Sequence, residues 1–200
     1  TGSFGYCTNL TILKMDNASY SNVADYAFIN DYSLGETNKF LPNTVRTIGD
    51  YALSGTAITT ISDNNVDLKK KITSLGTGAL AKCQNIASFN FDDYISLKSV
   101  GSYLFSGCKN LSDVKLNRFL TNYMFQDCIS LSDINLIKVI DNLPDSSTKG
   151  VTIPDGLFDG CVSLNDADYK SGKGLIIGDV SNSNANVNTI GEYAFRGCVS

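Results

Sequence analysis

The chain contains no histidine. That removes at once the commonest general base and a leading metal ligand. A Ser-His-Asp or Cys-His centre cannot be assembled from these 200 residues. Charge is thin, at 18% of residues, and the net value is -4. The basic residues are scattered, which argues against a nucleic-acid binder that must neutralise a row of phosphates. The one basic run, Lys69-Lys70-Lys71, reads as a solvated loop. No apolar run approaches the roughly 20 residues a membrane-spanning helix needs. The opening TGSFGYC carries no basic and apolar leader. The 42% apolar content is enough for a folded chain with a sizeable core.

What is present is repetition. FGYCTNLTILKM begins at Phe4, LAKCQNIASFNF at Leu80, FSGCKNLSDVKL at Phe105, FQDCISLSDINL at Phe125, FDGCVSLNDADY at Phe158 and FRGCVS at Phe195. Weaker copies centre on Phe28 and Leu53, with Asp31 and Thr56 in the cysteine position. A second block precedes most copies: VRTIGDYAL, ITSLGTGAL, LKSVGSYLF and NTIGEYAF. From Phe4 onward the copies are spaced by 24, 25, 27, 25, 20, 33 and 37 residues. Self-similarity at this period predicts a solenoid. The Leu-x-x-Val-x-Leu half alternates apolar and polar residues, as a half-buried strand requires. The Gly-x-x-Ala-Phe half turns the corner. Glycine is expected there for its access to positive φ, Phe as interior filling, and a short helical or 3₁₀ turn as the local structure.

The predicted fold is a leucine-rich-repeat solenoid of the α/β type, a curved right-handed coil. A parallel β-sheet forms its concave face, with short helical or 3₁₀ turns and loops on the other side. Residues 1–200 read as a single domain of about eight repeats, with insertions near 62–71, 140–150 and 168–188. Both ends fall inside a repeat, so the chain reads as a segment of a longer protein.

VRTIGDYALSG, SVGSYLFSGCKNLSDVKL and NTIGEYAFRGCVS resemble the BspA-like leucine-rich-repeat family, whose unit runs Ile-Gly-x-x-Ala-Phe-x-x-Cys-x-x-Leu-x-x-Val-x-Leu-Pro. The proline is missing from most copies, although Pro42 retains it. The resemblance implies a secreted or surface-attached protein that adheres to host matrix proteins, host cells or other microbes. It brings no catalytic residue and no defined ligand-binding motif.

The six cysteines, Cys7, Cys83, Cys108, Cys128, Cys161 and Cys198, hold one position of the repeat. Stacking at about 4.8 Å puts neighbouring Cα atoms within disulfide range, but parallel side chains keep the Cβ atoms further apart than the usual ~3.8 Å. Buried free thiols are the first reading, a local disulfide the second. Single cysteines at repeat spacing do not make a tetrahedral zinc set. DADYKSG, 166–172, matches a calcium loop weakly, because Lys170 falls on a ligand position. Asn9, Asn17 and Asn110 lie in glycosylation sequons, which matter only in a eukaryotic source. Tyr6, Tyr26, Tyr51, Tyr103, Tyr123 and Tyr193 recur in the corner half and read as packing at the convex rim.

No catalytic, cofactor or metal residue is assigned. The candidate site is the outward strand column: Ile12/Lys14, Glu36/Asn38, Thr60/Ser62, Ser88/Asn90, Asp113/Lys115, Asp133/Asn135 and Asp166/Asp168. The expected binding face consists of its later members, Ser88, Asn90, Asp113, Lys115, Asp133, Asn135, Asp166 and Asp168. They turn acidic toward the C-terminus, which suits a basic partner or plain solubility. The expected function is non-enzymatic, extracellular or surface binding of a protein or glycan. A structural spacer is the alternative. Neither nucleic acid nor a membrane span enters the expectation.

Overall fold

A computed structural model describes residues 2–11, 13, 19–35, 41–61, 66–136, 151–164, 175–176 and 187–199. Among the described residues the strands form one four-stranded and three two-stranded sheets, all parallel, and sort into two ladders by their place in the repeat. The first comes from the residue pair just before the corner, followed by Ala24 in the first case and by Gly49, Gly76 and Gly101 in the others: β1 (Asn22–Val23), β2 (Thr47–Ile48), β3 (Ser74–Leu75) and β5 (Ser99–Val100). Val23, Ile48, Leu75 and Val100 share one register row of it. The second comes from the Leu-x-x-Val-x-Leu half. There β4 (Ser88–Asn90) pairs with β6 (Asp113–Lys115), and a bridge from Asp113 to Asp133 leads to β7 (Ile134–Asn135). Further on, β8 (Val151–Ile153) pairs with β10 (Val187–Ile190). The parallel sheet expected of the strand half is therefore present, together with a ladder in what looked like corner sequence.

Strand β7 takes β9 (Leu175–Ile176) as its other neighbour, with Ile134 opposite Leu175 and Asn135 opposite Ile176. The next rung after Asp133 and Asn135 thus comes from the 168–188 insertion. The 62–71 insertion contains the helix α1 (Val66–Lys71); residues 137–150 lie outside the described residues.

The corner half is not helical. Its amides alternate between two uses. Ala52, Ser54 and Thr56 donate to Gly49, Tyr51 and Leu53 of their own coil, at 3.2–3.3 Å. Tyr51, Leu53 and Gly55 donate to Thr77, Ala79 and Ala81 of the next coil, at 2.7, 3.1 and 2.8 Å. A helix would consume all these groups within one segment. The alternation instead commits half of them to joining coils, and it recurs at each step from Tyr26 to Gly160.

Two columns of left-handed backbone accompany it. Gly2, Tyr26, Tyr51, Gly78, Tyr103, Tyr123, Gly156 and Tyr193 have φ of 51–65°. Tyr6, Asn30, Gly55, Lys82, Gly107, Asp127, Gly160 and Gly197, four residues later, have φ of 56–76°. The recurrent glycine after the first ladder is absent from both columns, so the expected reason for it is replaced. A Cβ on Gly101 would stand 2.3 Å from Thr77 N and 2.6 Å from Gly76 C. Close approach between coils, not positive φ, requires glycine there.

The core is the column of residues that follow. Phe105, Phe125 and Phe158 are fully buried and stack with centroids 5.8 and 5.6 Å apart; Leu53 and Leu80 continue the column. The tyrosines also stack at the turn, Tyr26 on Tyr51 at 5.6 Å and Tyr103 on Tyr123 at 4.9 Å. Tyr6 alone of them sits in the second left-handed column.

Candidate functional site

The second ladder sorts its side chains by alternation. Phe89, Val114 and Ile134 point into the core and are buried. Ser88, Asp113, Lys115, Asp133 and Asn135 are exposed, and Asn90 is half-buried. Pairing sets Ser88 beside Asp113 and Asn90 beside Lys115, and the bridge sets Asp113 beside Asp133. A shallow cavity of about 280 Å³ opens over the first two rungs, lined by Ser88, Asn90, Asp113 and Lys115 above Phe89 and Val114. Six of the eight expected binding residues are thus brought onto adjoining strands. Asp166 and Asp168 lie outside the described residues, as do Ile12, Lys14, Glu36, Asn38 and Ser62.

Two of the six have local work. Asn90 Oδ1 accepts from Asp92 N at 3.1 Å, and its Nδ2 donates to Asp93 Oδ1 at 3.0 Å. It caps the 3₁₀ turn Phe91–Asp93 that ends the strand, the usual task of an asparagine at such a start. Lys115 Nζ lies 2.9 Å from Asp92 Oδ2, and this exposed ion pair raises the lysine's pKa. Asp92 and Asp93 are the site residues the repeat pattern misses. Lys69 of α1 reaches Asp93 Oδ2 at 3.0 Å, so the rim carries a Lys69–Asp93 and an Asp92–Lys115 pair. The signal for it was FDDY directly after a strand, where Asn90 has the residue type of a cap.

The chemistry available here is recognition. Hydroxyl, amide, carboxylate and ammonium groups stand side by side, but the thiols are elsewhere. All six cysteines are free; Cys83, Cys108, Cys128 and Cys161 are buried, Cys198 is half-buried and Cys7 is exposed. Cys7 therefore departs from the expected buried column. Burial pushes the Cys83 thiol up to about 11 and those of Cys108, Cys128 and Cys161 upward as well, so they are poor nucleophiles at neutral pH. Among the described residues no group of three or more Cys, Asp or Glu could hold a metal ion. DADYKSG falls outside those residues. No helix of the described residues is long and apolar enough to cross a membrane.

The model of the BspA type leucine-rich repeat region matches in six copies, over residues 1–65 and 41–165. The chain belongs to this family. A leucine-rich repeat protein from Bacteroides ovatus shares its fold, with a TM-score of 0.60 and 26% identity over 99% of this BspA-type chain. The chain spans 49% of that protein's length. A T. pallidum leucine-rich repeat protein aligns with a TM-score of 0.46 and 20% identity, over 79% of this chain and 78% of its own. A leucine-rich cell surface protein from Faecalibacterium prausnitzii aligns with a TM-score of 0.46 and 19% identity, over 99% of this chain and 54% of its own. No curated protein matches.

Proposed function

We propose that this chain is a non-enzymatic binding or adhesion segment, secreted or held at a cell surface, which engages a protein or glycan partner. The partner surface is the outward side of the second ladder, the concave side of the solenoid. It comprises Ser88, Asn90, Asp113, Lys115, Asp133 and Asn135. The observation that carries the reading is the in-register exposure of Ser88, Asp113, Lys115 and Asp133 over a buried apolar row. Rigid, regularly spaced groups on a backbone already hydrogen-bonded lose little entropy on binding. Asp113 beside Asp133 concentrates negative charge where a basic patch would relieve their repulsion. Membership of the BspA-type family supports the surface location and the absence of catalysis.

The test is bead adhesion to a panel of immobilised matrix proteins and glycans, comparing the wild type with Asp113→Lys/Asp133→Lys. The reading expects capture by wild type and at least a tenfold loss in the variant, since two charge-assisted contacts are each worth about 1.5–3 kcal/mol. Unchanged capture sinks the acidic face. No capture by either protein leaves the spacer reading, in which the inter-coil hydrogen bonds serve only to stiffen a rod.

A further inference from the structure

A cavity of about 750 Å³ lies on the turn side of the coils and shares no residue with the sheet-face patch. Gly55, Ala57 and Gly107 are among its lining residues. Lys82 stands beside it on left-handed backbone, φ 58°. The lysine stem lies across the next coil, since a Cβ on Gly107 would be 3.2 Å from Lys82 Cγ. That direction brings it toward the coil of Lys109, which lines the same cavity. Among the described residues neither lysine is ion-paired. One carboxylate, Asp127, also lines the cavity, so its net charge is positive in a chain of net charge -4.

The amides around it are fixed. Gln84 Nε2 donates to the carbonyls of Lys82 and Gly107, at 3.1 and 2.7 Å, and Asn85 Nδ2 donates to that of Ala57 at 3.0 Å. Both N–H groups of Gln84 Nε2 and one of Asn85 Nδ2 are thereby used, and the two amide oxygens remain as acceptors. The backbone beneath is committed as well: Gly55, Lys82 and Gly107 N–H donate to Ala81, Ser106 and Gln126 of the next coil. An extended peptide therefore finds no free edge to join as an added strand. Two unpaired ammonium groups, fixed amide oxygens and the exposed ring of Tyr32 remain for a ligand.

We propose that this cavity is a second binding site and that it takes an acidic oligosaccharide bearing uronic-acid carboxylates. The carboxylates pair with Lys82 and Lys109, sugar hydroxyls donate to the Gln84 and Asn85 oxygens, and a pyranose face covers Tyr32. The site is independent of the sheet face and stands whether or not that face binds anything.

Isothermal titration calorimetry with hexasaccharides of hyaluronan and of polygalacturonate tests it. An N-acetylglucosamine hexamer serves as the neutral control and poly-glutamate as the acidic peptide. The variant is Lys82→Gly/Lys109→Gln, in which glycine suits the left-handed backbone and a thermal melt checks folding. At least one uronic hexasaccharide binds the wild type, weakens in raised salt and loses about tenfold or more in the variant. Asp133→Lys leaves that binding unchanged, and the neutral hexamer binds at least tenfold more weakly. Absence of binding by both uronic sugars overturns the proposal. So does equal affinity in the lysine variant, or poly-glutamate binding as tightly as the sugar.

Discussion

The thiol of Cys108 donates a hydrogen bond to the carbonyl oxygen of Leu80, 3.1 Å away in the preceding coil. Cys83 does the same to Leu53 at 3.1 Å, Cys128 to Phe105 at 3.2 Å, Cys161 to Phe125 at 3.0 Å and Cys198 to Phe158 at 3.3 Å. The repeated cysteine is thus more than a small apolar filler. In these five repeats it ties the coil to the one before it with a weak donor.

Burial and this donor role together predict a graded reactivity. A thiol reagent at mildly alkaline pH labels Cys7 promptly in the native protein. Cys83, Cys108, Cys128 and Cys161 stay silent until denaturant is added. Mass spectrometry of the labelled peptides reads this directly. Fast native labelling of any of the four buried residues contradicts the packing described here.

Glycine and non-glycine positions of the turn respond in opposite directions. Gly101→Ala destabilises by about 3 kcal/mol, because its Cβ meets fixed backbone of the adjacent coil. Lys82→Gly stabilises by about 0.5–1 kcal/mol, because φ of 58° costs lysine more than glycine. Urea denaturation midpoints measure both. A loss on Lys82→Gly, or no loss on Gly101→Ala, refutes the assigned backbone roles.

Asp31 replaces cysteine in its coil and introduces a pH dependence. Its side chain is fully buried; Oδ1 accepts from Cys7 N at 2.7 Å, and Oδ2 has no partner among the described residues. Burial raises its pKa from 3.8 to about 6, against the lowering effect of the Cys7 hydrogen bond. The folded chain therefore holds a proton that the unfolded chain releases first. The stability this contributes is complete below pH 3.8 and is lost as pH rises through about 6. Asp159 behaves oppositely: the Arg196 hydrogen bond lowers its pKa, so its contribution is lost as pH falls through that lowered value, below the Asp31 window. Asp31→Asn keeps an acceptor for Cys7 and removes the titration. Its stability advantage over wild type grows from pH 3.8 to about pH 6 and then levels. Parallel stability profiles for the two proteins would falsify the assignment.

Much of the architecture was legible because one residue type returns to one place. The Phe/Leu column and the cysteine column follow from spacing alone, as does the placement of Ser88, Asp113 and Asp133 on adjoining strands. Other features were hidden for physical reasons. Tyr51 and Tyr103 occupy backbone that a tyrosine disfavours intrinsically, and hydrogen bonds to the next coil together with ring stacking hold it there. Gly78 and Gly156 in the same column were the clue. Gly101 looked like a conformational glycine, and only the neighbouring coil reveals a steric one. Asn90 reads as a free surface group until the turn it caps is seen. That β9 pairs with β7 was not readable either, because the insertion that supplies it breaks the period.

The central claim is that the sheet face carries the partner. Amide chemical-shift mapping tests it most directly, using the strongest binder from the adhesion panel titrated into isotope-labelled protein. The account predicts perturbations concentrated at Ser88–Asn90, Asp113–Lys115 and Asp133–Asn135, and their loss in Asp113→Lys/Asp133→Lys. Perturbations that avoid these three strands while the partner is bound contradict it.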